Sequence, residues 1–115
     1  MNPGASTRQL KVGREVQRCL AEIIRSKGMA AWGGAMITVS EVRVSPDLSV
    51  AKVFVSVFPS DKLDGSMKLL EENKGLIRGQ LGREVAANWR LVPELIFVPD
   101  TTLDYAEHIE ELLKK

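Results

Sequence analysis

The run MITVSEVRVSPDLSVAKVFVSVF, residues 36–58, decides the fold of this 115-residue chain because it predicts a β-hairpin. Every second side chain from Ala51 to Val57 is apolar, as in a strand that buries one face. The apolar positions of the first half change phase near Ser40–Glu41, which predicts a β-bulge because the side-chain period of a strand is two. Ser45-Pro46-Asp47 is typical of a turn. The prediction is two strands, Met36–Val44 and Leu48–Phe58.

The second strand has two different faces. Its apolar face consists of Ala51, Val53, Val55 and Val57. Its other face carries Lys52, Phe54, Ser56 and Phe58. We expect the first face to enter the core, and we expect Phe54 and Phe58 to fill the core or the edge of the sheet.

The segment before the hairpin has the period of an amphipathic helix, which we expect from Thr7 to about Lys27. Its apolar face consists of Val12, Val16, Cys19, Leu20, Ile23 and Ile24. At ~100° per residue, the opposite face carries Lys11, Arg14, Arg18 and Arg25. Gly28 is expected to end this helix, and Gly33-Gly34 to keep the next segment irregular.

The segment after the hairpin predicts two helices, a strand and a final helix. Ser60 is expected to cap a helix that breaks at Asn73-Lys74-Gly75, where the apolar spacing is interrupted. A second helical series follows, and Pro93 precedes a short apolar strand, Glu94–Val98. Helical spacing returns at Leu103, Ala106, Ile109 and Leu112.

These elements predict an α+β fold in the order α-β-β-α-α-β, followed by a C-terminal helix. The long connection between the second and third strands favours a parallel pair. The expected architecture is a three-stranded sheet covered by helices on one face. At this length we expect a single domain over residues 1–115, with residues 1–6 disordered.

The composition favours a small binding domain over an enzyme or a membrane protein. Cys19 is the only cysteine, which excludes a disulfide framework, and with one histidine it makes a zinc site implausible. That histidine, His108, lies among glutamates of the terminal helix and is expected to be solvated. No apolar run reaches the ~18–20 residues that cross a bilayer. We therefore expect no metal, no cofactor, no membrane contact and a cytoplasmic location.

The charge of the chain is nearly balanced, with 16 Lys+Arg against 15 Asp+Glu, but it is unevenly distributed. Residues 1–27 hold six basic and two acidic side chains, whereas residues 100–115 hold five acidic and two basic ones. A basic face on a neutral protein can neutralise the phosphates of RNA. The alternative for the basic stripe of the first helix is an ordinary solvated helix face. The candidate RNA-binding residues are Lys11, Arg14 and Arg18 of the first helix, and Lys74, Arg78, Arg83 and Arg90 at and after the predicted break.

Four stretches resemble the ribosome-binding factor A family of bacterial small-subunit assembly proteins, and the resemblance spans roughly Thr7 to Lys115. They are Arg8-x-x-Lys11-Val12 with the apolar positions after it, the hairpin from Thr38 to Val53, Gly75-Leu76-Ile77-Arg78-x-x-Leu81-Gly82-Arg83, and Arg90-Leu91-Val92-Pro93-Glu94-Leu95-x-Phe97-x-x-Asp100.

The resemblance implies a type II KH-like fold, which agrees with the order of elements above. It implies a non-catalytic protein that binds the immature 30S subunit and promotes late maturation and processing of 16S ribosomal RNA. Its partners would be that RNA and ribosomal proteins, and we expect a monomer. It also implies a helix kink at Asn73-Lys74-Gly75, where Asn73 stands in place of the family's usual alanine.

A second glycine motif has the spacing of a nucleic-acid clamp. KH domains hold the nucleic-acid backbone with a Gly-x-x-Gly loop, and Gly79-Gln80-Leu81-Gly82 has that spacing. It lies inside the helical series Ile77, Leu81 and Val85, so we interpret it as part of a helix.

The alternative function is a small module that docks on a protein partner and has no affinity for RNA. Retention on ribosomal RNA or immature small subunits that falls steeply with salt would support the assembly factor. Retention independent of salt would favour protein docking.

Overall fold

The computed structural model describes residues 6–85 and 92–100, and its first element is the helix α1, Thr7–Ser26. Ser6 caps α1 in a capping box: its Oγ accepts from Gln9 N at 3.1 Å, and Gln9 Oε1 accepts from Ser6 N at 2.8 Å. The disordered leader expected at residues 1–6 therefore does not include Ser6, and residues 1–5 lie outside the described residues. Gly28, with φ of 78°, follows the end of the helix.

The hairpin consists of β1, Met36–Val44, and β2, Val50–Phe58, which pair antiparallel. The register shifts between Val39 and Glu41, which confirms the predicted bulge. β2 begins two residues later than expected because Leu48 belongs to the turn, with φ of 63° in the left-handed region. Ser45 N closes this turn by donating to Val50 O at 2.8 Å.

Two helices follow the hairpin: α2, Leu63–Glu72, and α3, Lys74–Val85. The break between them lies at Asn73, with φ of −97° and ψ of 3°. The helix α3 runs on through residues 79–82, so the Gly-x-x-Gly motif is helical. The predicted cap at Ser60 is wrong, because a 3₁₀ turn at Ser60–Lys62 precedes α2 and neither segment has a side-chain cap.

The third strand, β3, Glu94–Pro99, pairs parallel with β2, so the strands lie in the order β1-β2-β3. The parallel pair requires a long connection, and α2 and α3 lie within it. This topology confirms the α+β architecture and the parallel crossover predicted from the sequence.

The core lies on one face of the sheet, where the three helices pack. The buried side chains of β2 are Ala51, Val53, Val55 and Val57, as predicted. Ala51, Val53 and Val55 belong to one apolar cluster with residues of α1, α2, α3 and β3, such as Leu20, Leu70, Ile77, Leu81 and Leu95. Burying each such leucine or isoleucine contributes roughly 1.5–3 kcal/mol.

We call α1, α2 and α3 the helix layer, and the sheet surface opposite it the open face. The register places the following residues on the open face: Met36, Thr38, Glu41 and Arg43 of β1, Val50, Lys52, Phe54, Ser56 and Phe58 of β2, and Glu94, Ile96 and Val98 of β3. Ser40, in the bulge, has no partner in the register. The predicted terminal helix, with Leu103, Ala106, Ile109, Leu112 and His108, lies outside the described residues, as does Arg90.

Candidate nucleic-acid interface

The outer surface of α1 carries the predicted basic stripe. Lys11, Arg14 and Arg18 are exposed and lie opposite the buried row of the helix. Arg8 is exposed on the same surface, three residues before Lys11, and was missed as a candidate although the helical period already indicates it. The structure therefore brings four basic side chains onto the N-terminal two-thirds of α1.

Arg18 differs from the other basic residues of this stripe because its charge is matched by acids. Its guanidinium pairs with Glu15 one turn earlier, and Arg18 Nη1 lies 3.7 Å from Glu22 Oε2 one turn later. The hydrogen bond to Glu15 raises the pKa of Arg18 above its ordinary value. Arg18 consequently adds little net positive field to the surface.

Lys74 and Arg78, next to the helix break, have partners within the fold. Lys74 Nζ lies 2.8 Å from Glu71 Oε2 and 5.9 Å from the centre of the Phe97 ring. Arg78 donates to two backbone carbonyls of the segment before β3, from Nη2 to Val92 O at 2.8 Å and from Nε to Pro93 O at 3.2 Å. Both residues thus help to hold α3 against β3.

Arg83 lines a groove between α1 and α3 with a volume of about 290 Å³. The other lining residues are Cys19, Glu22, Ile23, Ser26, Gln80 and Glu84. Two of them are acidic, so the charge of the groove is mixed. Within residues 6–85 and 92–100, Lys11, Arg14 and Arg83 form no salt bridge, and they are the candidates whose charge is available to a partner.

Burial changes the chemistry of the one cysteine, which lies in this groove. Desolvation raises the pKa of the Cys19 thiol, and the neighbouring Arg18 opposes this shift. The thiol therefore stays protonated at neutral pH and is a packing group rather than a nucleophile.

The outer surface of α3 carries few side chains because two of its exposed residues are glycines. Apart from the neighbouring residues and backbone of α3 itself, a Cβ placed on Gly75 or Gly79 would meet no atom within 4 Å, so these glycines face open space. Leu76 lies between them and is 65% exposed. The backbone of α3 can therefore be approached closely from outside.

The break itself is built around Asn73. Its Nδ2 donates to Leu69 O at 2.8 Å and its backbone N donates to the same carbonyl at 3.0 Å, which ends α2. Its own carbonyl accepts from Ile77 N at 2.9 Å, which starts α3. The asparagine side chain thus satisfies a carbonyl of the last turn of α2.

The described part of the chain offers neither a metal site nor a membrane span. It holds no group of three His, Cys, Asp or Glu side chains that could bind a metal ion. Among the same residues, no helix is both long and apolar enough to cross a membrane.

A three-stranded mixed sheet with helices packed on one face, and a break between α2 and α3, define the class of type II KH-like domains. The sequence model of the family described as Ribosome-binding factor A matches residues 8–113. The chain belongs to the ribosome-binding factor A family.

Individual relatives agree with this assignment. Ribosome-binding factor A of Rhodopseudomonas palustris (strain BisB18) is 41% identical over 115 residues, which cover 98% of this chain and 82% of that protein. The crystal structure of ribosome-binding factor A from Thermus thermophilus has a TM-score of 0.68 and 28% identity, over 79% of this chain and 94% of that chain. A Thermus thermophilus ribosome-binding factor A homology model, fitted into the cryo-EM map of a 30S complex, has a TM-score of 0.64 and 30% identity, over 76% and 90% of the two chains. These similarities confirm the predicted KH-like fold.

Proposed function

We propose that this protein binds the immature 30S ribosomal subunit through its helix layer, and that binding promotes the late maturation and processing of 16S ribosomal RNA. The membership of the family supports the first part, as does the Thermus thermophilus relative fitted into a 30S complex. In this proposal the protein acts as a cytoplasmic monomer and catalyses no reaction. We choose this surface because three cations of the helix layer form no salt bridge within residues 6–85 and 92–100. They are Lys11, Arg14 and Arg83.

The basic end of α1 is suited to phosphate contacts. Lys11 and Arg14 are exposed and have no acidic partner among the described residues, so their charge is available to RNA. Each phosphate that they neutralise releases condensed counterions, which makes affinity fall as salt rises. Arg8 extends the same surface toward the start of the helix.

The bare surface of α3 is suited to close approach of an RNA backbone. A glycine inside a helix costs about 1 kcal/mol relative to alanine, and Gly75 and Gly79 have no packing contact that would require them. The sequences of α1, α2 and α3 contain no aromatic residue on which an RNA base could stack. Recognition through this layer would therefore use the shape and backbone of folded RNA.

The test is binding of the purified protein to immature small subunits on a sucrose gradient at several salt concentrations. The double variant Lys11→Gln/Arg14→Gln should bind more weakly, and the slope of log affinity against log salt should fall by roughly 1.4–1.8 for two lost contacts. The matched control is Arg43→Gln/Lys52→Gln, which removes the same charge from the open face and should bind like the unchanged protein.

Thermal unfolding of both variants separates a binding effect from a folding effect, because exposed charges contribute little to stability. Equal binding by all three proteins would contradict the assignment of the surface to α1. Binding that does not change with salt would favour the alternative, a module that docks on a protein. Arg83→Gln then tests whether the groove between α1 and α3 takes part.

The proposed role in RNA maturation needs a separate measurement. Cells depleted of the protein should accumulate small-subunit RNA with unprocessed ends, and the Lys11→Gln/Arg14→Gln variant should restore processing less well than the control variant. Normal processing in depleted cells would contradict this role and leave subunit binding as the whole function.

A further inference from the structure

The open face of the sheet carries apolar side chains that the described residues leave uncovered. Phe58 is 68% exposed, Met36 53% and Ile96 38%, and Phe54 and Val98 are half-buried. The register places Met36 beside Phe58 and Val98 beside Phe54. Apolar residues that adjoin on one surface mark a site that another segment or molecule covers.

The chain leaves β3 on this same side of the sheet. Pro99 pairs with Val55, so Asp100 follows beside Ser56, on the side that Phe54 and Val98 share. Ser40 Oγ, in β1, donates to Asp100 Oδ2 at 2.7 Å. Because β2 lies between β1 and β3, this bond crosses above β2 on the open face. The residues after Asp100 thus start from the open face.

We propose that the C-terminal segment, residues 101–115, lies across the open face and covers its apolar residues. The apolar positions of this segment recur at helical spacing: Leu103, Ala106, Ile109 and Leu112. Ten helical residues span about 15 Å. The distance from Phe54 to Phe58 along a strand is about 13–14 Å. One such helix therefore has the length to cover the apolar residues that lie between the levels of Phe54 and Phe58, which are Met36, Phe54, Phe58 and Val98.

The charges of the open face argue against RNA as the occupant. Arg43 and Lys52 are balanced by Glu41 and Glu94 on the same surface, and Arg43 Nε lies 3.1 Å from Glu41 Oε1. The guanidinium of Arg43 also lies over the ring of Phe54, at 5.3 Å from its centre. Such a surface has no excess positive charge to attract phosphates.

Covalent attachment favours the chain's own segment over a second copy. A tethered segment meets its site at an effective concentration in the millimolar range. A second copy would have to reach a similar concentration before it competed. The segment also holds four acids and two lysines, so it keeps a soluble outer surface once its apolar side is covered.

The test is amide hydrogen exchange of the full chain, followed at residues 103–113. These amides should be protected, and exchange should be roughly tenfold or more faster in Phe58→Ser and in Ile109→Asp, because each variant removes one partner of the apolar contact. Leu76→Ser is the matched control: it removes an exposed apolar side chain from the helix layer and should leave exchange at 103–113 unchanged.

Unchanged exchange in α1 shows that each variant is folded, and Met36→Ser replaces Phe58→Ser if that variant is not. Three results would overturn the proposal. They are unprotected amides at 103–113 in the unchanged chain, equal protection in the variants on the open face, and protection that rises with protein concentration. The last result would identify a second copy as the occupant.

Discussion

The helices α1 and α3 pack side by side on the same face of the sheet, but they use glycine for opposite purposes. In α1, a Cβ on Gly13 would lie 3.0 Å from Val42 O, so the absence of a side chain lets the helix approach the backbone of β1. In α3, Gly75 and Gly79 face open space. The difference teaches that the glycine of α1 is required by packing, whereas these two glycines of α3 are not.

The largest loss of stability should come from shortening a buried leucine, and we expect the loss to be similar in the two helices. Leu20 of α1 and Leu81 of α3 are both 0% exposed. Changing either to alanine leaves a cavity and should lower the free energy of unfolding by about 2–5 kcal/mol. Urea unfolding measures this, with exposed Leu76→Ala as the control. A much smaller loss for Leu81→Ala would show that α3 packs more loosely than α1.

Replacing a glycine by alanine should change the free energy of unfolding in opposite directions in the two helices. Gly13→Ala should lower the free energy of unfolding by about 1–2 kcal/mol, since crowding of the β1 carbonyl outweighs the gain in helix propensity. Gly79→Ala should raise it by up to about 1 kcal/mol, because only the propensity changes. Chemical denaturation gives both values. Effects of the same sign would contradict the contrast between the two helices.

Removing a side chain that caps or ends a helix should lower the free energy of unfolding by a similar amount at both positions that we consider. Ser6→Ala removes the cap of α1, and Asn73→Ala removes the bond to the last turn of α2 at the entry to α3. Each should lower the free energy of unfolding by about 1 kcal/mol. Ser6→Thr keeps an Oγ and should retain most of the stability, which thermal unfolding followed by far-ultraviolet circular dichroism would show.

The smallest effect concerns the electrostatic contact between the two helices. Glu84 of α3 contributes to the raised pKa of Cys19 in α1, although burial is the main cause. Glu84→Gln should therefore lower that pKa slightly and shift the pH dependence of Cys19 alkylation to lower pH. Arg14→Gln serves as a control. An unchanged pH dependence would show that Glu84 lies too far from the thiol to act on it.

The sequence predicted those features that depend on local periodicity. The bounds of α1, the bulge near Ser40 and the buried face of β2 follow from the periods of a helix and a strand. The sequence spacing also indicates the pairing of Arg18 with Glu15 and Glu22, because charged residues three and four positions apart on a helix are neighbours.

Other features needed the tertiary structure. The bonds of Arg78 to the carbonyls of Val92 and Pro93 join residues 14 and 15 positions apart, and no local pattern indicates them. The expectation that Phe54 and Phe58 fill the core or the edge of the sheet is wrong, because both lie on the open face of the central strand and Phe58 is 68% exposed. Their exposure depends on which elements cover the sheet, and the period of the strand does not indicate this. The predicted RNA contacts of Lys11, Arg14 and Arg83 stay predictions until the binding test above.

The parallel pairing of β2 with β3 also bears on when the protein can fold during its synthesis. The strand that supplies Leu95 and Phe97 to the core is made only after both α2 and α3, and the sheet pairs it directly with β2. Contacts between distant parts of the chain form late and slow the folding of small proteins. A nascent chain that has reached only α3 therefore exposes the apolar edge of β2, and it depends on the last strand to complete a cooperative fold.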